Sequence, residues 1–150
     1  MSFRGLGAVV LVILVMAGCS VPVEIPSPLP TTTPIPADIQ GFLDAAASGD
    51  LDGVRARLSV SNDAAGRYLT AAEISPGCAA DEAAAVAAKV NDPNLTAYVY
   101  TGREPWEVRF ESPDGANEGW GIELRDGGWY WQAQAASCMA LWNSPSPGPN

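Results

Sequence analysis

Nine of the thirteen prolines in this 150-residue chain fall in two short stretches. Six lie in residues 20–37, at Pro22, Pro26, Pro28, Pro30, Pro34 and Pro36, and three close the chain at Pro145, Pro147 and Pro149. Proline has no backbone N–H and pushes its predecessor toward extended geometry, so neither stretch suits a helix or a central strand. The folding part is thereby confined to residues 38–142, one domain of ordinary small size. Residues 19–37 read as a semi-rigid stalk, its eighteen residues after Cys19 reaching up to about 55 Å at ~3.1 Å per residue. Residues 143–150 read as a disordered tail.

Charge and composition remove whole classes of function. Eight Lys and Arg stand against seventeen Asp and Glu, a net charge of −9. Nucleic-acid binding draws most of its affinity from cations that neutralise phosphates, so no nucleic-acid partner is expected. There is no histidine, which takes away Ser-His-Asp and Cys-His catalysis and nearly all zinc and haem sites. Lys89 is the sole lysine and no Gly-rich phosphate loop precedes it. Asp50 and Asp52 suit helix capping and lack the alternating oxygen ligands of a calcium loop. No cofactor and no metal are expected. Carboxylates are plentiful, but nothing in the pattern singles out a catalytic pair.

The N-terminus has the form of an export signal. Arg4 precedes an apolar run of twelve residues, 6–17, flanked by Gly5 and Gly18. As a helix this run would be about 18 Å long, against a hydrocarbon core of about 30 Å, too short to span and right for a signal peptide over residues 1–18. Its end, Met16-Ala17-Gly18-Cys19, resembles the lipobox of bacterial lipoproteins, with Met in place of the commoner Leu. The resemblance implies a lipidated, palmitate-bearing Cys19 as the mature N-terminus. It places the domain on the extracytoplasmic face of the cell membrane, held there by its lipid. The 24 alanines, with Arg far above Lys, fit a high-GC, actinobacterial-type bacterium. Three cysteines is an odd number for an exported protein. With Cys19 carrying lipid, Cys78 and Cys138 remain, and export favours their oxidation. Such a bridge would close a loop of about 60 residues and stabilise by about 4 kcal/mol on the chain-entropy model. A redox-active pair would be expected in Cys-x-x-Cys spacing, which is lacking.

Within the domain, the hydrophobic period changes from helical to two. Asp38 is a candidate N-cap for a helix with Ile39, Phe42, Leu43 and Ala46 on one stripe, closed by Gly49. Asp50 opens a second short helix carrying Leu51, Val54 and Leu58. A third helix is expected from residues 59–63 to just before Pro76, with Tyr68, Leu69 and Ala72 on one face. A fourth, over residues 81–90, buries Ala83, Val86, Ala87 and Val90 and stops at Asn91-Asp92-Pro93. Strict alternation then marks strands at residues 95–101, 106–111, 120–125 and 129–135. Asp114-Gly115 and Asp126-Gly127-Gly128 supply turns between them. The expected class is α+β: N-terminal helices packed on one face of an antiparallel sheet of three to four strands.

Residues 42–59, FLDAAASGDLDGVRARLS, resemble the opening of nuclear-transport-factor-2-like domains: helix, Gly-Asp break, short helix. Residues 119–135, GWGIELRDGGWYWQAQA, resemble their last hairpin. The two matches cover about a third of the domain. The resemblance, which extends to SnoaL-like members, implies a curved, cone-like sheet with a pocket between helices and sheet. It carries no catalytic residue, because no position matches an active-site motif of the family. An ankyrin-like reading of the first stretch fails for want of a second copy at the repeat period.

Trp106, Trp120, Trp129 and Trp131 are the one constellation with a chemical reading. All fall on the apolar side of their strands, so one sheet face can gather them. They form either a pocket for an apolar ligand or the packing of an alanine-rich core. Trp142 is expected near Cys138. Glu107, Arg109, Glu111, Glu123 and Arg125 take the opposite, wet face, where cross-strand charge pairs are expected. The reading that follows is a lipid-anchored, non-catalytic module that binds an apolar ligand or another envelope protein. The alternative is a small isomerase or dehydratase using an inward Asp or Glu, such as Asp44 or Glu73, with a tyrosine such as Tyr98 or Tyr130.

Overall fold

The computed structural model describes residues 32–145. The signal segment 1–18, the lipidation residue Cys19, the stalk residues 20–31 and the last five residues lie outside the described residues. Order reaches beyond both expected boundaries of the domain. β1 (Thr32–Thr33) pairs with the main sheet, and Ile35 packs against the core. At the other end the Asn62 amide donates to the carbonyls of Leu141 (2.8 Å) and Ser144 (3.1 Å), which ties down the start of the expected tail.

α1 (Ala37–Ser48) buries Ile39, Phe42, Leu43 and Ala46, the stripe its spacing predicts. It stops at Gly49, whose φ of 76° is the left-handed geometry that glycine supplies without strain. The expected cap is displaced: Pro36 holds the N-cap position with no side-chain bond, and Asp38 sits in the first turn. Its carboxylate makes tertiary contacts instead. Oδ2 accepts the Trp129 N–H at 3.0 Å, and Oδ1 pairs with Arg57 at 2.7 Å. α2 (Leu51–Arg57) is capped as expected by Asp50, which accepts the Gly53 N–H at 3.1 Å.

The third expected helix does not form. Residues 58–75 instead give β2 (Leu58–Ser59), β3 (Ser61–Asn62) and β4 (Arg67–Tyr68), followed by turns. Helical spacing of Tyr68, Leu69 and Ala72 is outweighed by two long-range pairings. β2 lies parallel to β8 (Gly128–Gln132), and Asn62 is held by the chain's far end. Asn62 also turns the chain locally, accepting the Ala65 N–H at 2.8 Å, and Gly66 follows at φ 64°. α3 (Pro76–Val90) starts earlier than Asp81. Ser75 caps it by accepting the Cys78 N–H at 3.2 Å, and Pro76 stands where its missing N–H is harmless.

β5 (Thr96–Tyr100), β6 (Trp106–Glu111), β7 (Asn117–Arg125) and β8 form the expected antiparallel meander. Asp126 (φ 51°) and Gly127 (φ 78°) make the last turn, both in the positive-φ region that a tight hairpin needs. The sheet is larger than expected and mixed. β1 adds antiparallel to β5 and β2 adds parallel to β8, giving the order β1-β5-β6-β7-β8-β2. Both additions are two residues long, too short for alternation to reveal. The last expected strand ends early, at Gln132, and the short helix α4 (Ala136–Met139) follows beyond it. Cys78 at the start of α3 is joined to Cys138 of α4 in a fully buried disulfide. The fold is α+β, with α1 and α3 packed together over one face of the sheet.

Candidate functional site

The four strand tryptophans share the helix-facing side, as alternation requires, but they divide into two pairs. Trp120 and Trp131 are buried, with rings 5.7 Å apart. Phe42 of α1 stacks on Trp131 at 4.7 Å, and Phe110 meets Trp120 edge-on at 5.7 Å. This stack fills the space between α1 and the sheet. The Trp131 Nε1–H donates to Glu82 Oε1 at 3.0 Å. Glu82, 1 % exposed, spends its other oxygen on the N–H groups of Gln134 (2.9 Å) and Ala135 (2.8 Å). A buried carboxylate tolerates its site when several donors meet it, and here they also fix the corner between β8 and α4. The sequence reading missed Glu82, because it lies on α3 among alanines with no partner near in sequence.

Trp106 and Trp129 lie at the other end of the same face. Their rings stack at 5.0 Å, both half-buried, on either side of β7. The register explains the meeting: Trp106 is opposite Ile122, and Trp129 is opposite Leu124. Together with Pro105 and Glu104 these residues line a surface cleft of about 310 Å³. Leu124 falls on the apolar side by alternation, yet it is 62 % exposed because the helix layer does not cover it. Trp142 packs against the core that holds Cys138.

The opposite face is polar, but its charged side chains are half-buried. The expected cross-strand charge pairs are absent among the described residues of this face. Glu107 and Arg109 pair along β6 at 2.9 Å, and Glu123 and Arg125 along β7 at 3.3 Å. The reason lies in what stands opposite: Gly121 and Gly119 on one side of β6, Tyr100 and Tyr98 on the other. Arg109 therefore covers the Tyr100 ring at 3.7 Å, and Arg125 lies between Tyr68 (3.9 Å) and Tyr130 (4.2 Å). Burial and a hydrogen bond to Glu111 push the Tyr98 hydroxyl above its ordinary range.

Among the described residues a cleft of about 450 Å³ opens where this face meets β3 and Trp142. Glu123 stands in it. One oxygen accepts from Ser59 and Arg125, and the other from the Tyr68 hydroxyl at 3.1 Å. Gln132, Gln134, Met139 and Trp142 complete the walls. The spacing around Tyr68 predicts a helix that does not form, so no sequence pattern joins it to Glu123. Burial, then the bond to Glu123, raises the Tyr68 hydroxyl as well. No protein-family model, curated protein or solved structure matches this chain. Of the candidate inward carboxylates, Asp44 is exposed and bonds Gln40, and Glu73 lies in the turn before α3 against Arg67 and Thr70. Among the described residues no group of acidic or cysteine side chains could hold a metal ion, and no helix is long and apolar enough to cross a membrane.

Proposed function

We infer that this chain is a lipid-anchored, extracytoplasmic binding module without catalytic activity, built on a cone-like fold of the nuclear-transport-factor-2 type. The observation that carries it is the Phe42–Trp131–Trp120 stack. It occupies the space between helices and sheet where a small-molecule enzyme of that type would hold its substrate, and leaves an apolar opening at the rim, around Trp106 and Trp129. The joined Cys78 and Cys138 support an oxidising compartment and leave Cys19 as the odd cysteine at the end of its lipobox. The fold reading is supported by the succession of α1, the Gly49-Asp50 break, α2 and the final meander. The ligand class is apolar, matching Pro105, Trp106, Leu124 and Trp129.

The alternative, an isomerase or dehydratase, has one observation in its favour: Glu123 and Tyr68 meet in the cleft of about 450 Å³. Against it, both oxygens of Glu123 are already engaged by Ser59, Arg125 and Tyr68. The test is palmitate labelling of cells expressing the full chain or Cys19→Ala, with native mass spectrometry of the purified protein. The expected result is label in the wild type alone and a bound apolar mass that is lost in Trp106→Ala. Equal labelling of both forms overturns the anchoring. A bound polar mass that survives Trp106→Ala and disappears in Glu123→Gln favours the enzyme.

A further inference from the structure

The rim cleft has a direction relative to the membrane. β1 runs antiparallel to β5 with Thr32 opposite Tyr100 and Thr33 opposite Val99. Chain preceding Thr32 therefore arrives at the end of the sheet where β5 finishes. Tyr100 is opposite Glu107, Trp106 is opposite Ile122, and Leu124 is opposite Trp129, so β6 starts, β7 finishes and β8 starts at this same end. Thr32 thus lies at the same sheet end as the Trp106–Trp129 stack and Leu124, two to four strands away. Residues 32–37 already belong to the domain, which leaves twelve residues, 20–31, as the tether. Twelve residues span at most about 43 Å even when fully extended.

We propose that the rim formed by Pro105, Trp106, Leu124 and Trp129 rests on the outer surface of the bilayer that holds Cys19. This rests on the lipid-anchored reading above and makes the apolar ligand of that reading the membrane itself. Tryptophan favours the headgroup boundary, where its ring is apolar and its N–H stays wet, and an exposed leucine beside it can enter the acyl region. A patch this small would not hold a free protein on a membrane, but the tether keeps it at high local concentration. The contact is apolar and not electrostatic. The cations at this end are already paired, Arg57 with Asp38, Arg103 with Glu107 and Arg125 with Glu123, and the net charge of −9 opposes an anionic surface. Docked in this way, the sheet end carrying Ser112 to Asn117 points away from the bilayer, free to meet other envelope components.

The test uses the full lipidated chain in phosphatidylcholine vesicles, with acyl chains either plain or brominated near the headgroup. Bromine quenches nearby tryptophan emission. The expected loss is confined to the share carried by Trp106 and Trp129, two of the five tryptophans, and is unchanged by salt. It disappears in Trp106→Phe/Trp129→Phe. It also disappears in Leu124→Asp, whose side chain points to solvent in the fold, so that variant stays folded and remains with the vesicles through its lipid. Equal emission in plain and brominated vesicles by a chain whose mass includes the lipid overturns the docking alone. Equal emission together with a dimer in cross-linking puts a second copy on the rim and overturns it too. A mature chain with no lipid mass on Cys19 overturns the anchored reading, and the docking with it.

Discussion

Trp120 and Trp131 differ from Trp106 and Trp129 in one respect, whether the helix layer lies above them. All four come from the same meander, the same sheet face and the same period of two. Above the first pair lies α1, with Phe42 stacked on Trp131. Beyond it the sheet continues without cover, and the second pair stacks on itself with Leu124 open beside it. The comparison teaches that a residue's face is a local property, and its burial is decided by how far a neighbouring layer extends. One pair became core and the other an apolar surface.

The sharpest way to break that comparison is to truncate each pair. Trp131→Ala is expected to lower unfolding free energy by about 3–5 kcal/mol, the range for large aromatics in cores. Trp129→Ala should lower it by about 1 kcal/mol, the value of a partly solvated ring stack. Urea unfolding of both variants measures the two, and equal losses would show that the rim is core after all. Removing the Cys78–Cys138 bridge, by reduction or by Cys78→Ser/Cys138→Ser, should cost about 2–5 kcal/mol and lower the melting temperature; an unmoved transition would mean that packing of α4 on α3 needs no covalent link.

Glu82→Gln sharpens the inner half. It keeps the shape and puts an amide NH₂ where an acceptor faces the donors of Trp131, Gln134 and Ala135, so a loss of about 1–3 kcal/mol is expected, read by denaturant unfolding. The smallest effect lies on the exterior. A hydrogen bond from Arg67, then bonds from Thr70, hold Glu73 at about 2, below its ordinary 4.5. A depressed carboxylate stabilises the fold above its ordinary value and loses that contribution as pH falls from 4.5 toward 2. Glu107, lowered by Arg103 and Arg109 against the opposing effect of its burial, acts in the same sense. Melting temperature against pH should fall through this window, and Glu73→Gln should flatten the fall slightly.

The elements that were readable before the fold share a physical basis: each depends on neighbours a few residues away. Gly49 and Asp50 end one helix and start the next through bonds within a turn. The alternation of β6, β7 and β8 follows from the pleat, and Asp126-Gly127 turns the last hairpin by its own backbone angles. Residues 58–75 depart from their helical spacing because their partners are remote. Leu58 pairs with Trp131, Asn62 bonds Leu141, and Tyr68 reaches Glu123. The Ser75-Pro76 start of α3 is local, a cap followed by proline at the first helical position, but the helical spacing of Tyr68, Leu69 and Ala72 just before it competes with that signal.

By itself the sequence determined that this is one disulfide-capable α+β domain between two proline-rich segments, acidic, without histidine, with four tryptophans on one sheet face. Those properties are counts, periods and short-range geometry. Only the tertiary structure decided which tryptophans are covered, that Glu82 accepts from Trp131, Gln134 and Ala135, and that Glu123 meets Tyr68. Each of these depends on the length and placement of a layer contributed from elsewhere in the chain. The reason is that burial and convergence are relations between segments, and no residue carries them in its immediate neighbours.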